Sequence, residues 1–333
     1  MELWRKVRGD VRKKLAFFIL LGWVLLIIGD RVDELRVYQG AQLAMYTIAL
    51  ASIVLLTGYS GQVSLGNGAM MAVGGYGAAL TLNNLGSPIW FAFLMAVVTA
   101  SLFGALLGAA AARLSGPYLA GTTLALAVGL PAIANQFAFL GGEPGLLFDV
   151  GFPPERFGEE FTQYKWFFWI AGLVALVALF ITSNILSSRF GRTWRAIRGN
   201  SLAAELCGVH SSRMKVLAFT ISSGLAGLAG AVLAMIISLV APGAFNLALS
   251  FALLTGAVLA GISSLPGVGL GAVILVFIPE IADALAGGLG DADKLNNYLP
   301  GLIVSVLLIL SVIFTPNGPG ENLRKHRHKK PAH

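Results

Sequence analysis

Apolar stretches of membrane-spanning length recur along almost the whole chain, separated by short polar segments. Of the 333 residues, 56% are hydrophobic and 12% are charged. A transmembrane helix needs about 20 consecutive apolar residues, and it satisfies its backbone hydrogen bonds internally. We therefore predict an all-α, polytopic transmembrane bundle of about ten spans, or eight if two stretches are re-entrant. The ten stretches are 12–29, 39–58, 63–82, 88–112, 117–140, 166–186, 214–240, 247–264, 267–287 and 298–314.

The first of these stretches follows a basic segment, as the apolar part of a secretory signal peptide does. It is followed by Leu-Ile-Ile-Gly-Asp rather than by a small-residue cleavage site. We therefore interpret 12–29 as the first span, lengthened by the side chains of Lys13 and Lys14, which can reach the membrane surface. The whole chain, 1–333, is expected to form a single transmembrane domain.

The charged residues divide unevenly between the two sides of this bundle. If the N-terminus is cytoplasmic, and the basic residues at the inner span edges (12–14 and Lys215) are counted inside, the inner segments hold eighteen of the 23 lysines and arginines and only four acidic residues, whereas the outer segments hold five basic and ten acidic residues. Cytoplasmic loops of membrane proteins are enriched in lysine and arginine. The pattern predicts two cytoplasmic termini, a cytoplasmic loop at 187–213, an extracytoplasmic loop at 141–165 and a basic cytoplasmic tail at 315–333 attracted to anionic membrane lipid.

Several kinds of chemistry have no counterpart in the sequence. Nothing matches the phosphate-binding loop Gly-x-x-x-x-Gly-Lys-Ser/Thr, so the chain is not expected to be its own ATPase. There is one cysteine, and the four histidines all lie in polar segments, so no catalytic or metal site is expected. The net charge of +7 is confined to loops and tails and therefore does not indicate nucleic-acid binding.

The segment 189–215 is the longest basic insertion between the apolar stretches. Its first part predicts an amphipathic helix, because apolar and basic residues each recur at helical spacing. One interpretation is a cytoplasmic loop resting on lipid headgroups; the other is a docking element for a partner. The apolar face holds Phe190, Trp194 and Ile197, and the basic face holds Arg192, Arg195 and Arg198.

A second short helix is predicted after a break at Gly199 and Asn200. We expect Ser201 to cap its N-terminus, Glu205 to lie near its positive end, and Gly208 to terminate it. Its apolar side would carry Leu202, Ala203 and Leu206.

The stretch 57–77 contains seven glycines, and each costs a helix about 1 kcal/mol relative to alanine. One interpretation, and the commoner, is close packing of helices through small residues. The other is an interrupted helix whose freed backbone groups line a polar transport path. The candidate path residues are Gly58, Ser60, Gly61, Gln62, Ser64 and Gly66.

Both polar stretches carry motifs of a known family. The chain resembles the permeases of branched-chain amino acid ABC transporters in Phe-Gly-Arg-x-x-Arg-Ala-Ile-Arg from Phe190, followed by Ala203-Ala204-Glu205 and Gly208. The same family carries Gly-x-x-Gly-Gln-x-Ser-Leu-Gly, matched here from Gly58 to Gly66. The following Asn67-Gly68 departs from the family pattern.

The resemblance implies the inner-membrane permease subunit of a high-affinity bacterial importer. Its implied partners are two cytoplasmic ATP-binding subunits, a second homologous permease, an extracytoplasmic substrate-binding protein and a small amino-acid substrate. ATP would be hydrolysed by the partners, and this chain would bind no cofactor. The residues implied to couple it to the ATPases are Arg192, Trp194, Arg195, Ala204, Glu205 and Gly208.

Two alternatives accompany this interpretation. A permease for urea, amides or sugars would share the architecture. An ion-coupled secondary carrier belongs to another class and should carry ionisable residues in mid-span. Only Glu280 and Asp283 are ionisable residues placed within a predicted span, and a structural partner such as an arginine explains them at least as well as a transport role.

Overall fold

The computed structural model describes residues 14–287 and Val306, without 17, 24, 26, 28, 30, 113–116, 152 and 154–160. Most of these residues are helical, which confirms the predicted all-α fold class. Several sequence predictions fall outside the described residues. They concern 1–13, the tenth apolar stretch apart from Val306, the tail 315–333, Arg113, Arg156, Lys294 and the side chain of Asp283.

The described elements follow one another as a series of helices with one pair of very short strands. A short apolar helix, Lys14–Trp23, comes first. The strands β1 (Leu146–Leu147) and β2 (Leu239–Val240) pair antiparallel. The longer helices are α1 (Glu34–Ile53), α2 (Asn67–Leu85), α3 (Ile89–Ala111), α4 (Pro117–Gln136), α5 (Gln163–Ser187), α6 (Arg189–Gly199), α7 (Ser201–Leu206), α8 (Ser211–Ile237), α9 (Leu247–Ala260) and α10 (Val268–Gly287).

Six segments of the described chain are long and apolar enough to cross a membrane. They are Glu34–Tyr59, Ile89–Ala111, Tyr118–Gln136, Gln163–Ser187, Ser211–Ile237 and Pro242–Ala260. The helix Lys14–Trp23, α2 and α10 fall on three further predicted stretches. Every predicted stretch up to 267–287 therefore contains a helix, and the number of spans stays a prediction.

Helix α8 lies at the centre of the bundle and packs against α1, α2 and α3. Small residues permit this close approach. Gly227 of α8 lies against Gly74 of α2, and a Cβ atom at Gly230 would overlap the backbone of Met71. Helices in a membrane associate through such faces because the lipid tails provide no hydrophobic drive between them. The packing interpretation is thus confirmed for the C-terminal half of the glycine-rich stretch.

Two segments of the bundle are broken helices. Helix α1 ends in a π-helical turn, Val54–Tyr59, and α2 begins only at Asn67, so the predicted interruption is also present. Helix α9 follows a 3-10 turn, Pro242–Phe245, and ends at Gly261, whose φ is +92°. The two breaks meet, because a Cβ atom at Gly58 would overlap the carbonyl oxygen of Ile262.

The bundle has two chemically different ends. We call the end that carries α6, α7, Lys14 and Lys215 the basic end. At the opposite end the Arg36 guanidinium and the Glu280 carboxylate form an ion pair at 3.2 Å, joining α1 to α10. Gln39 also donates to Glu280, at 3.1 Å. Glu280 therefore has the structural partner that the sequence allowed for.

Candidate functional site

Helix α6 is amphipathic, as predicted. Its N-terminus is capped by the Ser188 hydroxyl, which accepts a hydrogen bond from the Phe190 amide at 3.2 Å. Gly191, Trp194 and Ile197 form its buried face. Arg192 and Arg195 are exposed. The apolar face thus holds the helix on the bundle and leaves most of the basic face accessible to solvent.

Trp194 anchors α6 from within. Its side chain is fully buried, and its indole N–H donates to the carbonyl oxygen of Met214 in α8 at 2.9 Å. A buried indole needs such a partner. Trp194 therefore holds α6 on the bundle and presents no exposed surface to a partner, and its coupling role stays a prediction.

Helix α7 differs from the sequence expectation in its capping residue and in the position of Glu205. Asn200, not Ser201, caps it, with its side-chain oxygen accepting from the Ala203 amide at 3.1 Å. The helix has only six residues, so Glu205 lies in its last turn and not near its positive N-terminus. Gly208 terminates it as predicted, with a φ of +84° and its amide donating to the Glu205 carbonyl at 2.9 Å.

The outward surface of α7 is apolar. Leu202 is 72% exposed and Leu206 is 90% exposed, and Glu205 and Cys207 beside them are also exposed. Ala204 instead faces inward and is buried. An apolar patch rimmed by charged residues is characteristic of a protein interaction surface. We call Leu202, Glu205, Leu206 and Cys207 the α7 patch.

Two arginines of α6 reach the broken helix beneath the loop. The Arg195 guanidinium carbon lies 5.6 Å from the centre of the Tyr59 ring. One guanidinium nitrogen of Arg198 donates to the Gly58 carbonyl and to the Ser263 hydroxyl, the latter at 2.8 Å. The sequence pattern places Arg198 on the basic face and indicates no further role for it, because its acceptors are distant in the chain.

The other candidate path residues follow directly after Gly58 and Tyr59 in the chain. Ser60, Gln62, Ser64 and Gly66 are buried, whereas Gly61 is exposed and has a φ of +76°. The Gln62 amide nitrogen donates to the Ser60 hydroxyl at 2.7 Å and to the Lys215 carbonyl at 3.1 Å. The Gln62 side-chain oxygen has no hydrogen-bond partner among the described residues.

Further hydrogen bonds tie the interrupted stretch to other helices. The Leu65 amide donates to the Thr123 hydroxyl at 3.0 Å, and the Gly68 amide donates to the Ser250 hydroxyl at 3.1 Å. These bonds satisfy amide groups at the break that have no acceptor within a helix, as burial in a membrane protein requires. Thr123 and Ser250 were missed from the sequence, where they read as single hydroxyls within apolar stretches.

A second layer of polar contacts lies at the start of α2. The Asn67 side chain donates to the Ser52 hydroxyl at 2.8 Å, and the Ser222 hydroxyl donates to the Ser52 carbonyl at 2.9 Å. Asn67, where the sequence departs from the family motif, therefore joins α2 to α1, and Ser222 joins α8 to the same residue of α1. The buried polar groups of this region pair mainly with each other.

Two cavities of the described chain lie away from the candidate path. A cavity of about 540 Å³ lies between the Lys14–Trp23 helix and α5, and it is lined by apolar and aromatic side chains such as Trp23, Trp169 and Phe180. A second cavity of about 410 Å³ lies near Gly86 and Asp149 at the opposite end. Neither includes a residue of 58–66. The described residues hold no group of histidine, cysteine, aspartate and glutamate suited to a metal ion.

Comparison with known proteins adds independent observations. Residues 38–312 match a family described as the permease component of branched-chain amino acid transport systems. The high-affinity branched-chain amino acid transport system permease protein LivM of Escherichia coli K12 is 29% identical over 340 residues, covering 93% of this chain and 75% of LivM. LivM of Salmonella typhimurium is 28% identical with the same coverages. LivH of Escherichia coli K12 is 27% identical over 164 residues, 49% of each chain.

Proposed function

The chain belongs to the family of permease components of branched-chain amino acid transport systems, and from this we propose that it imports a branched-chain or closely related amino acid. The match covers most of the chain, including both polar stretches. It makes the chain a permease subunit of an ABC importer and does not favour the urea, amide, sugar or ion-coupled alternatives. We further propose the bacterial inner membrane as its location, with ten spans and both termini in the cytoplasm.

The energy for transport comes, in this proposal, from two separate ATP-binding subunits that dock on the α7 patch. The observation that carries the proposal is the exposure of Leu202 and Leu206 on a short helix whose position is fixed by the buried Trp194. Apolar side chains at the centre of an interface and charged ones at its rim suit a protein partner. Arg192, Arg195 and Glu205 supply that rim, and Gly208 gives the helix its sharp end.

A second homologous permease subunit is proposed to cover α4. Tyr118–Gln136 is the least apolar and the most exposed of the six candidate spans of the described chain. A helix facing lipid should instead be the most apolar. Similarity of the chain to both LivM and LivH supports a partner built on the same pattern.

The substrate is proposed to pass the broken helices at Gly58–Gly66. A zwitterionic amino acid needs hydrogen-bond donors for its carboxylate and acceptors for its ammonium group, and interrupted helices provide both from their backbone. The unpaired Gln62 side-chain oxygen is an additional acceptor at this level. Exposure of this oxygen would require the Gln62 side chain to leave its hydrogen bonds to the Ser60 hydroxyl and the Lys215 carbonyl. The extracytoplasmic binding protein would deliver substrate at the opposite end, at the loop 141–165.

Uptake into vesicles tests the proposal. Vesicles that contain the chain, its permease partner and the ATP-binding subunits are given the cognate binding protein and radiolabelled leucine. We expect accumulation that requires ATP hydrolysis and is reduced by excess isoleucine or valine but not by urea or ribose. A non-hydrolysable ATP analogue serves as the control. Accumulation driven by a proton or sodium gradient without ATP would instead establish a secondary carrier.

A further inference from the structure

We propose that Arg198 is a positioning residue that fastens α6 to both broken helices at once, so that displacement of the α6–α7 loop moves or releases them together. This inference rests on the proposed function, because it assigns a mechanical role within an ATP-driven permease. The structural observation behind it does not depend on that function: the guanidinium group of Arg198 donates to two acceptors.

The two acceptors belong to segments far apart in the chain. The Gly58 carbonyl lies in the π-helical turn that ends α1, where the last carbonyls of a helix lack donors within the helix. The Ser263 hydroxyl lies in the link that follows α9. Arg198 itself lies in the last turn of α6. One side chain therefore joins three elements at the basic end of the bundle.

The backbone around Arg198 is shaped for this contact. A Cβ atom at Gly58 would overlap the Ile262 carbonyl, so the two broken helices meet without an intervening side chain. A Cβ atom at Gly61 would lie 2.9 Å from Cγ of Arg198, and the φ of Gly61 is +76°. Gly58 thus lets the two broken helices meet, and Gly61 leaves room for the Arg198 side chain.

An arginine suits this role better than a lysine. Its planar guanidinium group presents five N–H donors in a fixed arrangement, whereas the lysine ammonium is a compact charge on a flexible stem. Among the described residues no carboxylate lies within ion-pair distance of Arg198. Its guanidinium group donates to a carbonyl and a hydroxyl. Breaking one such hydrogen bond costs less free energy than breaking a buried ion pair.

The other contacts of the loop make Arg198 distinctive. Trp194 ties α6 to the start of α8 through the Met214 carbonyl, and Gln62 ties the 58–62 turn to the Lys215 carbonyl. These bonds connect α6, α8 and the end of α1. In the described part of the chain, the side-chain hydrogen bond from α6 to the α9–α10 link comes from Arg198. Loss of the Arg198 side chain should leave the α6–α7 loop folded but no longer bonded to the α9–α10 link.

The test measures uptake and ATP hydrolysis together in the reconstituted complex. Arg198→Gln should lower the leucine taken up per ATP hydrolysed by about tenfold, as expected for losing a charged hydrogen bond from a two-state element. Ser263→Ala should lower it less, because the Gly58 contact persists. Arg198→Lys should restore part of the loss. Arg189→Gln, which removes an exposed charge from the same helix, is the matched control and should behave like the unmodified chain.

A distance measurement separates failure of this inference from failure of the proposed function. Spin labels are attached at Val63→Cys and Gly199→Cys in a Cys207→Ser background, both at exposed positions. We expect one narrow distance distribution, which Arg198→Gln broadens and Arg189→Gln does not. An unchanged distribution, or unchanged uptake per ATP in Arg198→Gln, would overturn the inference. If the unmodified complex shows no ATP-driven uptake, the proposed function fails and the distance measurement alone decides the role of Arg198.

Discussion

Gly230→Leu is expected to prevent formation of the folded bundle. A Cβ atom at this position would already overlap the carbonyl and Cα of Met71, because α8 and α2 are in backbone contact there. Neither backbone can move away easily, since Gly227 and Gly74 make a similar contact one turn earlier. Overpacking of a core costs about 1–3 kcal/mol and occasionally more, and a backbone clash at the central helix should exceed that range. The measurement is the yield of monodisperse protein from detergent-solubilised membranes.

Gly269→Leu is the matched control for this substitution. Gly269 also lies in a helix, α10, and a Cβ atom there has no neighbour within 4 Å. The same added volume should leave yield and elution profile unchanged. Normal yield of Gly230→Leu would mean that α2 and α8 are further apart than described, and that the central packing of the bundle is different.

The double substitution Leu202→Asp with Leu206→Asp should abolish transport while leaving the permease folded. Both side chains are largely exposed, so the isolated chain loses little. In the complex, burial of each leucine should contribute about 1.5–3 kcal/mol. Two carboxylates would also have to lose their water in the interface between the α7 patch and the ATP-binding subunit. We expect the affinity for the ATP-binding subunits to fall at least about 100-fold. Co-purification with those subunits and ATP-driven uptake measure the effect.

Methionine at the same two positions provides the control. Leucine-to-methionine changes nearly conserve volume and apolar character and usually cost little. Leu202→Met with Leu206→Met should therefore keep both co-purification and uptake. If the aspartate variant still assembles and transports, the α7 patch is not the docking surface, and the loop is a basic connector near lipid headgroups.

Local sequence patterns predicted the elements that depend on local physics. Apolar length located the helices because a spanning segment must be apolar throughout. The spacing of Phe190, Trp194 and Ile197 predicted α6, and Gly208 predicted the end of α7 because few other residues adopt a positive φ. The prediction that Glu205 lies near the N-terminus of α7 was wrong, because the sequence pattern does not fix the length of the helix. Ser201 and Asn200 are both good caps, and the structure uses Asn200.

Long-range partners could not be read from the sequence. Burial of Trp194 depends on the course of α8, which supplies the Met214 carbonyl. Arg198 depends on the meeting of Gly58 with the link after α9. The glycine-rich stretch allowed two interpretations: its first half is interrupted, its second half packs closely on α8, and the transport path along the interrupted half stays a prediction. Composition alone contains no information about where one use ends and the other begins.

A separate ATP-binding subunit is proposed to dock on the α7 patch from the cytoplasm. Cys207 tests it without any substitution, because it is the one cysteine of the chain and is exposed beside Leu206. A membrane-impermeant maleimide should not label it in intact cells. It should label readily in inside-out vesicles stripped of the ATP-binding subunits, and restoring those subunits should protect it. Labelling from outside the cell would contradict a cytoplasmic position of the loop. Equal labelling with and without the subunits would contradict docking at the α7 patch.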